Sequence, residues 1–228
     1  MNKQNIKISF IIPCFNEENN IQKTIKEIFN LSSKYTQKKI ELIIVDDGST
    51  DRTYEKIKVH KLVRKFQHKN NMGIGAAYKT GLKMAKGKYV IMIPGDNSHP
   101  TTSIEPIINN IEKSDIIIPF TTKKGKRSII RFFLSKTFTF FLNYYFKLNI
   151  RYFNGTVLHK RSILNEIEIN SDGFDYQAEI LVKLILKGFS YKEVEVIINE
   201  RREGESKAVS FTNGIKILRN LVKLKKSL

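Results

Sequence analysis

The chain has 228 residues, 41% of them hydrophobic, one cysteine and a formal net charge of +18 at pH 7. That length suits one compact domain with a substantial core, and no repeat or low-complexity linker divides it. A lone Cys14 excludes an intrachain disulfide and fits a reducing compartment, while the charge calls for an anionic partner: nucleic acid, a membrane surface or phosphorylated substrates.

The amino terminus, MNKQNIKISF, lacks the apolar core of a signal peptide, because its apolar run meets Pro13 and then acids. The expectation is a chain not marked for export. Lys7 to Pro13 reads as a short strand, stopping where Asn16, Glu17 and Glu18 open a helical pattern over Asn19 to Leu31. A second strand, Ile40 to Asp46, runs into the carboxylate pair Asp46 and Asp47, with Gly48 permitting a sharp turn. Ser49 and Asp51 are candidate caps for a helix from Asp51 to Phe66. In open α/β sheets ligands bind just outside the carboxyl ends of the strands, so Asp46 and Asp47 are expected to point into such a crevice.

Next comes a glycine-rich helix over Gly73 to Lys86. Its start, GIGAAYKTG, is not a dinucleotide fingerprint, since Tyr78 stands where a third glycine belongs and Asn70-Asn71 precedes it instead of a strand. Gly73, Gly75 and Gly81 read better as places where the helix packs closely on the sheet. A third strand, Lys88 to Pro94, ends in an acidic loop containing Asp96, followed by a helix over Thr101 to Lys113 and a strand over Ser114 to Phe120. Such alternation argues a mostly parallel sheet with helices on both faces. The later half reads as an aromatic helix near Arg127 to Phe146, a strand near Tyr152 to Leu158, a helix from Asp175 to Lys187 and a strand over Lys192 to Asn199.

The succession PCFNEE, VDDGSTD, NxGxGAA and an acidic strand end followed by HP resembles glycosyltransferase family 2, and so implies the Rossmann-like GT-A fold. The later segments FDYQAEI and RREGESK are similar to the dolichyl or polyprenyl phosphate sugar transferase branch, and the likeness runs from about Lys7 to Lys207. It implies that Pro13, Phe15 and Glu17 border the base and ribose of a GDP- or UDP-linked sugar donor, with Val45 and Asp47 opposite. A carboxylate accepts hydrogen bonds from ribose hydroxyls, and apolar groups cover the base. Family members carry Asp-x-Asp at the third strand end, where this chain has Pro94, Gly95 and Asp96. Asp96 is therefore the expected ligand of Mg²⁺ or Mn²⁺, with Ser98 as a further oxygen, since such cations commonly bind through one or two carboxylates plus phosphates and water. Arg201 and Lys207 match the family's contacts to the leaving pyrophosphate, on a loop that Gly204 frees to close.

The resemblance also makes RFFLSK an acceptor-phosphate segment, in which Arg127, Arg131 and Ser135 follow at four-residue intervals along one helical stripe. A further family arginine is replaced by Lys123 or Lys124. The helix is too short and too charged to span a bilayer, and a surface-lying helix fits it better. The tail, Ser210 to Leu228, sets Lys216, Arg219, Lys223 and Lys226 against Ile215, Leu218, Leu221 and Val222, which suits either an anionic membrane surface or packing on the domain. The expected organisation is thus a GT-A domain over 1–209 and a basic amphipathic tail over 210–228. The expected activity is inverting transfer of a sugar to a polyprenyl phosphate on the cytoplasmic face of a membrane. Transfer to a glycan hydroxyl, which would need a base such as Asp175 or Glu179, and a scaffold that lost catalysis with the carboxylate at position 94 are the alternatives. Nucleic acid is not an expected partner, because the basic groups are not interleaved with a recognised module.

Overall fold

The structure, a computed structural model, describes residues 7–34, 40–122, 129–197, 220 and 224–225. Among them, seven strands form one sheet in the order β3-β2-β1-β4-β6-β5-β7. In chain order the strands are β1 (Ile8–Cys14), β2 (Ile40–Asp46), β3 (Val63–Gln67), β4 (Tyr89–Met92), β5 (Ile116–Phe120), β6 (Leu158–Lys160) and β7 (Tyr191–Glu195). Only β6 runs antiparallel to its neighbours, β4 and β5. The helices are α1 (Ile21–Lys34), α2 (Thr53–Lys56), α3 (Ile74–Met84), α4 (Thr101–Ile108), α5 (Ile129–Phe146), α6 (Arg161–Leu164) and α7 (Tyr176–Leu186).

β1 and β2 are buried along their whole length and apolar but for Ser9, Glu41 and the terminal Asp46, as suits strands covered on both faces; the Ser9 hydroxyl donates to Glu41 at 2.6 Å. Alternate residues divide between two cores. Ile11, Ile43, Val90 and Ile116 pack with Ala77 of α3, Leu142 of α5 and Leu181 of α7 on one face. Ile12, Leu42, Ile91 and Ile117 pack with Ile28 of α1 and Ile104 of α4 on the other. The mostly parallel sheet with helices on both faces is therefore as expected.

Two elements differ. The segment read as one helix over Asp51 to Phe66 is a four-residue α2 followed by β3, which pairs parallel to β2 from Leu42↔Val63 to Asp46↔Gln67. The strand expected near Tyr152 to Leu158 instead begins at Leu158 and bridges β4 and β5. Of the tail, Asn220, Leu224 and Lys225 are described: Leu224 is buried in the α5 core and Lys225 lies over the Tyr145 ring. The division at 209/210 falls outside the described residues.

Candidate active site

Strand order reverses at β1, whose neighbours are β2 on one side and β4 on the other. A crevice outside the carboxyl ends of the strands forms at such a switch point. The three strand ends are pinned side by side: the Gly95 amide donates to the Pro13 carbonyl (2.9 Å) and the Asp47 amide to the Cys14 carbonyl (2.8 Å).

The loops after β1 and β2 are laced together. Residues entering α1 carry amides that the helix itself cannot satisfy, and the short oxygen-bearing side chains of the β2 loop accept from them. The Asn16 amide donates to Ser49 Oγ (2.9 Å), the Glu17 amide to Thr53 Oγ1 (2.8 Å) and the Glu18 amide to Asp51 Oδ2 (3.2 Å). In return Asn16 Oδ1 accepts from the Thr50 amide at 2.9 Å. Ser49, expected to cap the helix that follows it, thus serves the entry to α1, whereas Asp51 serves both, its Oδ1 also accepting from the amide of Thr53 at the start of α2 (2.9 Å). Burial alone would raise the Asp51 carboxyl, but donors from Thr53 and the Glu18 amide outweigh it and hold it below the usual range.

The carboxylate pair is spoken for by the protein. Asp46, fully buried, accepts from the Ser49 amide (3.1 Å), the Ser49 hydroxyl and Gln67 Nε2 (2.9 Å). Asp47 Oδ1 pairs with His68 Nδ1 (2.7 Å) and accepts from the Met72 amide (2.9 Å), while Oδ2 accepts from the Gly73 amide (2.8 Å). Asp47 therefore fastens the turn that leads into α3, where a negative charge also meets the positive end of the helix. Three of the about four acceptor positions of a carboxylate are so occupied. The expectation that both acids point into the crevice is corrected: they fasten its walls. Gly48, at φ 75°, makes the turn, and a Cβ there would run into the Asn70 backbone. Gly73 and Gly75 press on the backbone of 171–173, and only Gly81 meets the sheet, at Ile11.

Asp96 follows β4 in a half-buried loop. Its Oδ1 accepts from the Ser98 amide (3.0 Å) and the Ser98 hydroxyl (2.6 Å), and Ser98 Oγ also meets His99 Nδ1 at 2.9 Å. Thr24 of α1 braces the loop, its Oγ1 bonding the Gly95 carbonyl and the Asn97 amide, each at 3.0 Å. No group of three His, Cys, Asp or Glu suited to a metal occurs among the described residues. A cage built wholly from protein ligands is thus not present there. The donor set, one oriented carboxylate beside a hydroxyl, fits instead a hard cation completed by phosphate oxygens and water.

Pro13 and Gly95 are buried, Phe15 is half-buried, and Glu17, 8% exposed, accepts from Asn20 Nδ2 at 2.9 Å. The Val45 side chain lies wholly in the core, which leaves only its backbone to meet a ligand. Burial, then the charges of Asp46, Glu17, Asp51 and Asp47, push the Cys14 thiol well up, which keeps it protonated and rules it out as a nucleophile. Ser135 is half-buried on α5. Arg131 falls in α5 with its side chain outside the described ones, and Arg127, Arg201 and Lys207 lie outside the described residues altogether.

The carboxylates of FDYQAE are engaged. Asp175, 3% exposed, accepts from Ser171 Oγ (2.6 Å) and Asn220 Nδ2 (2.9 Å). Glu179 accepts from the amides of Asn170 (3.0 Å) and Ser171 (2.8 Å) and pairs with Lys183 at 2.6 Å. One contributor was not anticipated: His68, which joins Asp47 to Thr80 Oγ1 (2.9 Å) and so ties β2, the β3 end and α3. The run VRKF was read as the end of a helix, which left His68 with no expected place beside Asp47.

Residues 9–174 match the model of glycosyl transferase family 2. The chain belongs to that family. It is a glycosyltransferase that draws its sugar from a nucleotide-sugar donor. Similar proteins include a dolichol-phosphate mannosyltransferase from Pyrococcus furiosus, 29% identical over 89% of this chain and 59% of that protein. A dolichyl-phosphate beta-glucosyltransferase from Dictyostelium discoideum is 25% identical over 97% of this chain and 74% of that one. The fold is that of glucosyl-3-phosphoglycerate synthase from Mycobacterium tuberculosis, solved with Mg²⁺ and uridine diphosphate, at a TM-score of 0.75 and 18% identity over 97% of this chain and 80% of the other. The GT-A architecture expected from the motifs is therefore present.

Proposed function

We propose that this glycosyltransferase moves a hexose, with inversion, from a GDP- or UDP-linked donor to a polyprenyl phosphate, working peripherally on the cytoplasmic face of a membrane. The observation that carries the reading is the state of Asp175 and Glu179. A hydroxyl acceptor needs a base to take its proton; both carboxylates on the acceptor side are buried among donors, and Glu179 is paired with Lys183. A lipid phosphate is already an anion and attacks without one. The names of the similar dolichyl-phosphate transferases support the same acceptor.

In this reading the strand-end crevice takes the nucleotide. Phe15 and Glu17 border base and ribose, while Asp47 holds the loop 68–73 that walls the opposite side. Asp96, with Ser98, would hold Mg²⁺ or Mn²⁺, and such a cation, when bound, offsets the charge of the diphosphate. The mycobacterial synthase, crystallised with Mn²⁺ and UDP or with Mg²⁺ and UDP, supports a divalent ion. Arg201 and Lys207 are assigned to the same departing charge. On the other side Arg127, Arg131 and Ser135 hold the lipid phosphate, one oxygen of which forms the new bond to the anomeric carbon as the bond to the nucleotide diphosphate breaks; no proton moves.

The test offers purified protein a panel of nucleotide sugars with polyprenyl phosphate and with soluble acceptors, and reads products by mass. A glycosylated polyprenyl phosphate is expected. Products formed only on hydroxyl acceptors or on phosphoglycerate would remove the lipid assignment.

A further inference from the structure

Away from the strand ends, the large apolar side chains that the domain leaves in water concentrate on α5. Phe133 is 64% exposed, Leu134 52%, Phe140 72% and Tyr144 79%. At about 100° per residue, Phe133, Phe140 and Tyr144 fall within about 40° of one another. The Phe140 and Tyr144 rings lie nearly parallel, with centroids 6.4 Å apart. Thr139, Leu142 and Phe146 occupy the other side and are buried. One face of α5 thus anchors the helix to the core and the opposite face carries a ridge of rings. Single exposed apolar residues are ordinary, whereas a continuous ridge marks an interaction surface.

Charge says what that surface meets. α5 contains no Asp or Glu. Exposed Lys136 falls within about 40° of Phe140 on the ridge side, exposed Lys147 follows the end of the helix, and the Lys225 ammonium stands 3.9 Å from the centroid of the Tyr145 ring. A second copy of the chain would bring the same net charge of +18 and be repelled. An anionic bilayer attracts the lysines and receives aromatic rings at the boundary between headgroups and acyl chains.

We propose that the Phe133–Phe140–Tyr144 face of α5 is the surface by which this protein lies on an anionic bilayer. The proposal rests on the lipid-phosphate reading above, since the same helix carries Arg131 and Ser135; by helical spacing those two positions fall about 160° from Phe133, so the ridge would hold the helix to the bilayer and leave the phosphate to the opposite side. No described helix is long and apolar enough to cross a membrane, so the contact is one of lying on the surface.

Full-length protein is tested against vesicles of phosphatidylcholine alone and of phosphatidylcholine with phosphatidylglycerol. The wild type is expected to sediment with the anionic vesicles and to leave them at high salt. The double substitution Phe140→Ser with Tyr144→Ser should lower partitioning by roughly tenfold or more, with thermal melting unchanged and transfer to a short, water-soluble isoprenyl phosphate retained. Lys136→Glu, which leaves the rings in place, should weaken binding to anionic vesicles alone. Equal vesicle binding by wild type and the double variant overturns the proposal. So does a wild type that light scattering shows to be a dimer and the double variant to be a monomer. Ring-dependent vesicle binding without transfer to any isoprenyl phosphate supports the docking face while removing the lipid acceptor, so the two failures are distinguishable.

Discussion

The strand-end crevice and the α5 surface are built by opposite means. At the crevice, amides of one loop are taken up by side-chain oxygens of the next, so that Asn16, Glu17 and Glu18 are fixed by Ser49, Thr53 and Asp51. Along α5 the outward side is aromatic, and the helix that carries the rings sets their position. A leaving diphosphate is best stabilised by charges and dipoles fixed before it arrives, and the laced loops supply such fixity. A long lipid needs no enclosing pocket for its tail, only a surface that holds the protein beside the bilayer.

The strongest way to break this contrast is at Asp96. Asp96→Asn keeps the size and an oxygen for the Ser98 donors but removes the charge. It should lower turnover by about 3 kcal/mol or more in activation free energy, read as kcat under saturating donor, with the fold intact by circular dichroism. Near-normal turnover would end the site assignment. Undiminished wild-type activity in chelator would exclude the cation alone.

A second substitution asks whether α5 serves the acceptor and the crevice the donor. Arg131→Ala should reduce transfer to polyprenyl phosphate by about 2 kcal/mol, the size of a lost charge-assisted hydrogen bond. Donor affinity by calorimetry should stay unchanged. A parallel fall in donor affinity would move Arg131 across the divide.

Asp47 tests whether the crevice walls are fastened as the geometry indicates. Asp47→Ala strands the Met72 and Gly73 amides and the His68 ring, and should destabilise the fold by about 2 kcal/mol, read by urea denaturation. It should also weaken donor binding. His68→Gln should cause a smaller version of both effects, since the two amides keep their acceptor. Loss of donor affinity with full stability would instead give Asp47 a direct role at the donor.

How far the sequence carried these assignments depends on whether the determinants were local. Strands β1, β2 and β4 were legible because two-sided burial makes them apolar but for Ser9 and Glu41, in runs that end at Pro13, Asp46 and Pro94. Strand β3 was not, because at the sheet edge only Val63 of its five residues is buried, and Arg64 and Lys65 look like a helix surface. Its pairing with β2 decides it. For the same reason β6 was misplaced: three residues become a strand by joining β4 to β5. Within the site, the motif showed which carboxylates gather but not what they accept. That Asp47 bonds the Met72 and Gly73 amides is a fact of the turn at Gly48, which lays the 70–71 backbone against it.

The smallest effect separates the core from both functional regions. His159 of β6 is fully buried, its Nε2 lies 3.4 Å from Gln177 Nε2, and its Nδ1 has no hydrogen-bond partner among the described residues. Burial lowers its pKa from 6.5 to about 3. The unfolded chain therefore binds a proton that the folded chain refuses between those values, and stability contributed by neutral His159 is present above pH 6.5 and lost as pH falls. At pH 5.5 the loss is about 1.3 kcal/mol relative to neutrality. Urea denaturation at the two pH values measures it, and His159→Gln should flatten that part of the profile without altering donor affinity. A slope that survives the substitution would place the titrating group elsewhere, at the crevice or on the surface.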